Sequence, residues 1–132
     1  MDTLSSSVIP TKGQLERKIS QQFHKLYRDH LDHSPGKITC QLVDEKLFLV
    51  VEDSVTKPEQ LLVERGEADL AATVRGDLAN ALRPEITDLI ETLLGSKVVD
   101  VLSDSTLETG RTGLVIVLSE SPRIRLSGKS SD

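Results

Sequence analysis

Two periodicities alternate along this chain, and their order limits the fold more than any single residue does. From Lys12 to His33, Leu15, Ile19, Phe23, Leu26, Tyr27 and His30 recur at helical spacing and gather on one stripe. Pro35 and Gly36, in "SPGK", end that pattern. Two strand-like runs follow, "KITCQLV" and "KLFLVVED", separated by the polar turn Asp44–Glu45. In the first run Ile38, Cys40 and Leu42 share a face. The second is apolar almost throughout, which predicts burial on both faces.

The succession then repeats without repeating its sequence. In "SVTKPEQ", Thr56 followed three positions later by Glu59 is a capping-box signature, and Pro58 suits a first helical turn. The helical pattern runs from about Pro58 to Leu94, loosened near Gly66, kinked at Pro84 and stopped at Gly95. The stretch "VVDVLSDSTLETGRTGLVIVLS" supplies two more strands around a nine-residue connection, "STLETGRTG". Helix, hairpin, long kinked helix, hairpin predicts an α+β fold: a four-stranded, largely antiparallel sheet with both helices on one face. Strand order stays open. Residues 1–11 read as a flexible arm, 12–119 as a single domain and 120–132 as a flexible polar tail.

Composition removes several function classes. There is no Trp, and two Phe and one Tyr leave essentially no stacking platform for bases. A net charge of −5 opposes a phosphate backbone, so no nucleic-acid partner is expected. The lone cysteine, Cys40, cannot form an internal disulfide and fits a reducing cytoplasm, packed as a small core residue. No apolar run approaches the roughly 20 residues that span a bilayer, so membrane contact would come through a partner rather than by insertion. The sheet's exposed edges and face invite self-association, and a homodimer is expected.

Few residues carry chemistry. The 105–113 connection holds hydroxyls, one acid and an arginine, yet no histidine lies near to activate Ser103, Ser105 or Thr106; a flexible hairpin is the expected reading. His30 and His33 share a helix side and His24 points away, so no closed ligand set forms; no metal or cofactor is expected, and His30 reads as a half-buried histidine with one hydrogen bond. The segment 12–33 carries five Lys/Arg against three Asp/Glu, whereas 57–94 carries four against eight. The two helices would attract each other or simply present solvated faces. Arg75 is the most informative position. It falls near the centre of the stripe formed by Ala68, Ala71, Ala72, Leu78, Ala79, Leu82, Ile86, Leu89, Ile90 and Leu93. A guanidinium there must pair with a buried carboxylate, turn outward near Gly76, or bind an anion. Glu52, Asp53 and Asp104 are the candidate partners, and a structural pair or an outward turn, taken together, is favoured over a ligand site. The candidate ligand-binding set is Arg75, Arg83, Ser103 and Asp104, and no residue is assigned a catalytic role.

Across Leu15 to Leu118 the chain resembles the MpsC-like family. The resemblance rests on the Ser34-Pro35-Gly36-Lys37-Ile38 punctuation and the Val55-Thr56-Lys57-Pro58-Glu59 helix start. Arg75, Arg83 and Pro84, then Gly95, Val98, Ser103 and Asp104, complete it. It implies a small cytoplasmic accessory protein serving membrane ion or inorganic-carbon transport, without established catalytic residues to carry over. The leading expectation is therefore a non-enzymatic accessory or regulatory module. A small-anion or nucleotide sensor using Arg75 and Arg83 is the alternative, and a hydrolase using the Ser103–Thr112 loop ranks last.

Overall fold

In a computed structural model describing residues 9–126, two long helices pack on one face of a four-stranded antiparallel sheet, as the order of periodicities predicts, and a third, short helix packs on the longer of them. Helix α1 (Lys12–Leu31) begins at a reciprocal cap: Thr11 Oγ1 accepts from the Gln14 amide at 3.2 Å, and Gln14 Oε1 accepts from the Thr11 amide at 2.9 Å. It ends at Asp32, whose left-handed φ of 50° lets its amide reach back to the last turn. Strands β1 (Ile38–Val43) and β2 (Lys46–Val51) form a hairpin across Asp44 and Glu45. The Gly36 amide donates to the Glu52 carbonyl at 2.8 Å, and a Cβ there would lie 2.8 Å from Asp53 Oδ2, so any larger residue would displace that carboxylate.

The long helical pattern divides. Helix α2 (Lys57–Glu64) and helix α3 (Ala68–Leu94) are separated at Gly66, whose φ of 81° lies where residues with a Cβ are strained. Helix α3 runs through Pro84 and closes at Gly95, φ 72°. Strands β3 (Val98–Thr106) and β4 (Arg111–Leu118) follow, and the sheet order is β1-β2-β4-β3. The expected nine-residue connection is only Leu107–Gly110, because Ser105 pairs with Thr112 and Thr106 with Arg111, extending the ladder into the polar segment. Of the arm and tail, residues 1–8 and 127–132 lie outside the described residues. Arg125 bonds to the carbonyls of Pro10 and Ile9.

The core lies between the helices and the inner sheet face. Leu15, Ile19, Phe23, Leu26 and Tyr27 of α1 and Leu82, Ile86, Ile90 and Leu94 of α3 meet Leu47, Leu49, Leu114 and Ile116 of the central strands. His30 departs from expectation: although on the α1 stripe by spacing, it is exposed, with Nε2 3.7 Å from Glu85 of α3. In the last turn of α1 the packing continues through Leu31, partly buried against the core, and His30 beside it faces solvent.

Strand β2 corrects a second expectation. Its side chains alternate exposed and buried instead of being buried on both faces. Both long helices lie on the inner face, leaving Phe48 and Val50 each 40% exposed on the other. Val43 at 49% and Leu102 at 57% join them, with Val115 beside Phe48 and Leu102 in the register. An apolar surface therefore crosses all four strands.

Cys40 is buried on the inner face, as expected of a core residue. Burial, reinforced by the Glu16 carboxylate, pushes its thiol up to about 12. An unfolded thiol ionises near pH 9, so above that pH the unfolded chain loses a proton that the folded chain keeps, and stability falls as pH rises toward 12. By linkage the slope approaches about 1.4 kcal/mol per pH unit. Urea unfolding at pH 8.5 and 10 should show a loss on the order of 1.4 kcal/mol that Cys40→Ala lacks; equal losses in both chains would contradict it. Tyr27, also raised by burial, adds its own loss only above pH 10.

Candidate functional site

The polar interior is assembled where α2 begins. Val55 and Thr56 are drawn in beside the core, so the capping-box glutamate, three residues on, points inward rather than to solvent. Glu59 is fully buried. Its Oε1 accepts from the Thr56 amide at 2.9 Å and from the Thr56 hydroxyl at 2.7 Å. Arg75 reaches it from α3: Nε donates to Glu59 Oε2 at 2.7 Å and Nη2 donates to Oε1 at 2.6 Å. Nη2 also donates to the Ser54 carbonyl at 2.8 Å. This two-pronged pairing matches the flat guanidinium to the flat carboxylate and leaves little charge uncompensated.

A hydroxyl chain extends from the ion pair across the sheet. Ser54 Oγ lies 2.6 Å from Thr112 Oγ1, which lies 2.7 Å from Ser105 Oγ, while the Ser54 amide donates to the Gly110 carbonyl at 2.8 Å. The Tyr27 phenol stands beside Thr112 and Arg75. Burial raises its pKa, and the positive charge of Arg75 only partly offsets this. Among the described residues, no buried side-chain nitrogen or oxygen is left without a partner.

Arg75 is thus a structural pair, but with a partner outside the three candidates. Glu52 instead accepts from Arg111 Nε at 2.8 Å, and the Asp53 carbonyl contacts His33 Nε2 at 2.6 Å. Asp104 is exposed and uses Oδ1 to accept from the Ser105 amide. The spacing had marked Glu59 as a cap, which it is. The missed signal was the apolar setting of that cap, one turn after Val55.

Of the four candidate ligand residues, Arg75, Ser103 and Asp104 line one cavity of about 200 Å³ between α3 and the β3–β4 hairpin. Arg83 lies elsewhere, half-buried on α3 and donating to Asn80 Oδ1 at 2.9 Å. The cavity's roof is Ala72, Gly76 and Ala79 of α3, its walls Leu82, Ile86 and Val101, and its polar end Arg75, Tyr27 and Thr112. Among the described residues, no three His, Cys, Asp or Glu side chains are grouped so as to hold a metal ion.

Fold and interior together define a small α+β domain with a closed ion-pair network on one side of its sheet and an open apolar face on the other. Residues 11–120 match the family described as "Na+-translocating membrane potential-generating system (MpsC)", and the chain belongs to that family. No curated protein and no solved structure matches it. The description ties the family to a membrane sodium system. No described helix is long and apolar enough to cross a membrane.

Proposed function

We propose that this chain is a cytoplasmic, non-enzymatic accessory module of a membrane sodium-translocating system, and that it works as a homodimer joined through the open sheet face. The observation carrying this reading is the apolar surface across four strands, which a lone domain would leave in water. A second copy is the occupant that its chemistry favours. Along successive rows the register places Lys46, Val117 and Asp100 side by side, then Phe48, Val115 and Leu102. A two-fold axis along β4 would lay Lys46 of one copy over Asp100 of the other and Phe48 over Leu102, with Val115 and Val117 meeting their own copies. Two sheets packed with strands roughly aligned, about 10 Å apart, fit this arrangement.

The interior supports a non-catalytic role. Glu59, Thr56, Ser54 and two of the three Arg75 nitrogens are committed to one another, so these groups are not disposed to act on a substrate. The two-arginine anion sensor is less favoured, because Arg83 stands apart from Arg75 and the Arg75 charge is already matched.

The test is physiological. Cells lacking the protein should lose part of the sodium-dependent membrane potential, and the wild-type chain should restore it while Phe48→Asp should not. An unchanged potential in its absence would overturn the assignment.

A further inference from the structure

We infer that the cavity between α3 and the β3–β4 hairpin binds an uncharged, carbonyl-bearing small molecule with a compact apolar body. It opens on the helix side of the sheet, so this inference stands apart from the pairing of sheet faces. Three features of the site specify the ligand.

The first is an available donor. Arg75, 8% exposed, spends Nε and Nη2 on Glu59 and Ser54, which leaves Nη1 uncommitted to that pair at the cavity's polar end. The Tyr27 phenol beside it is engaged with Arg75 and Thr112, so a second Nη1 hydrogen and the Ser103 hydroxyl are the donors left to the cavity. Donors converging on one end of a partly open, mostly apolar cavity call for an acceptor on the ligand, such as a carbonyl oxygen.

Charge is the second. Glu59 already neutralises Arg75 through two hydrogen bonds, so an anion entering the cavity would surrender its hydration for a cation that is already satisfied. A cation would face the guanidinium, with only the exposed, solvent-screened Asp104 carboxylate among the lining residues to attract it. A neutral carbonyl group meets neither penalty and still accepts the Nη1 hydrogen.

Size is the third. An apolar cavity of about 150 Å³ holds benzene, and the roughly 200 Å³ here admits about nine non-hydrogen atoms. The space exists because α3 presents Ala72, Gly76 and Ala79 over it, and a Cβ added at Gly76 would meet nothing within 4 Å. Leu82, Ile86 and Val101 supply the apolar wall.

Benzamide and benzoate, equal in size and shape but differing in charge, test this directly by NMR titration of the full chain at about 10 mM, above the millimolar dissociation constant reasonable for a ligand of this size. Benzamide should shift the methyl signals of Leu82, Ile86 and Val101 saturably, and benzoate should bind at least about tenfold more weakly. Gly76→Leu should fill the space and weaken benzamide by at least about tenfold while keeping the helical melting transition, because glycine within a helix is itself unfavourable. Should that variant fail to fold, Ala79→Leu serves the same purpose. No saturable shift with benzamide would overturn the inference. So would tighter binding of benzoate, or benzamide binding unchanged in the filled variant.

Discussion

Arg75→Met should destabilise the domain by about 3–5 kcal/mol, the usual cost of stranding a buried charge by removing its partner. Glu59 is fully buried, and after the substitution its carboxylate would keep only the Thr56 amide and hydroxyl. The Ser54 carbonyl would lose its bond from Nη2 as well. Replacing both members, in Arg75→Met/Glu59→Leu, should recover much of that loss, because an apolar pair of similar volume needs no compensation. Urea unfolding of the two single variants and the double variant gives the coupling directly. A loss below about 0.5 kcal/mol for Arg75→Met would mean that the guanidinium is solvated and the closed network is wrong.

Phe48→Asp should weaken self-association by at least about 100-fold, or about 2.7 kcal/mol, the scale of a central aromatic contact in an interface. The folded monomer should barely notice. Phe48 is partly exposed on the outer face, so the substitution removes no core contact, and its cost should stay within the roughly 1 kcal/mol spread of strand preferences. Sedimentation velocity measures the first effect and urea unfolding the second. If the variant unfolds, Leu102→Lys on edge strand β3, across β4 from Phe48, tests the same surface. Unchanged association in a folded variant would remove Phe48 from the interface.

Much of the architecture was legible because periodicity and punctuation agree. The α1 stripe, the Asp44–Glu45 turn and the stop at Gly95 each stand where residue chemistry puts them. So does the demand that Arg75 find a partner. Which partner was not legible, because a capping-box glutamate ordinarily faces solvent. Only the tertiary position of α2 against α3 turns Glu59 inward. Strand β2 misled for a related reason. An apolar run says that both faces avoid water, not whether the second face is covered by helices of the same chain or by another molecule. The polar stretch through Ser105 and Thr112 read as loop because hydroxyls favour turns. Their pairing across the ladder and with Ser54 absorbs them into the sheet. Arg83 matched Arg75 in type, and the turn of α3 separates their roles.

The most direct measurement is solvent exposure of individual methyl groups at low and high protein concentration, read from relaxation by a dissolved paramagnetic probe. If the sheet face pairs with a second copy, Val50, Leu102, Val115 and Val117 should lose exposure together as concentration rises, while Val43 on edge strand β1, beyond the paired strands, and Leu61 and Leu70 on the helix side stay accessible. Exposure of the sheet-face methyls that does not change with concentration, or protection that falls on α2 and α3 instead, would contradict it.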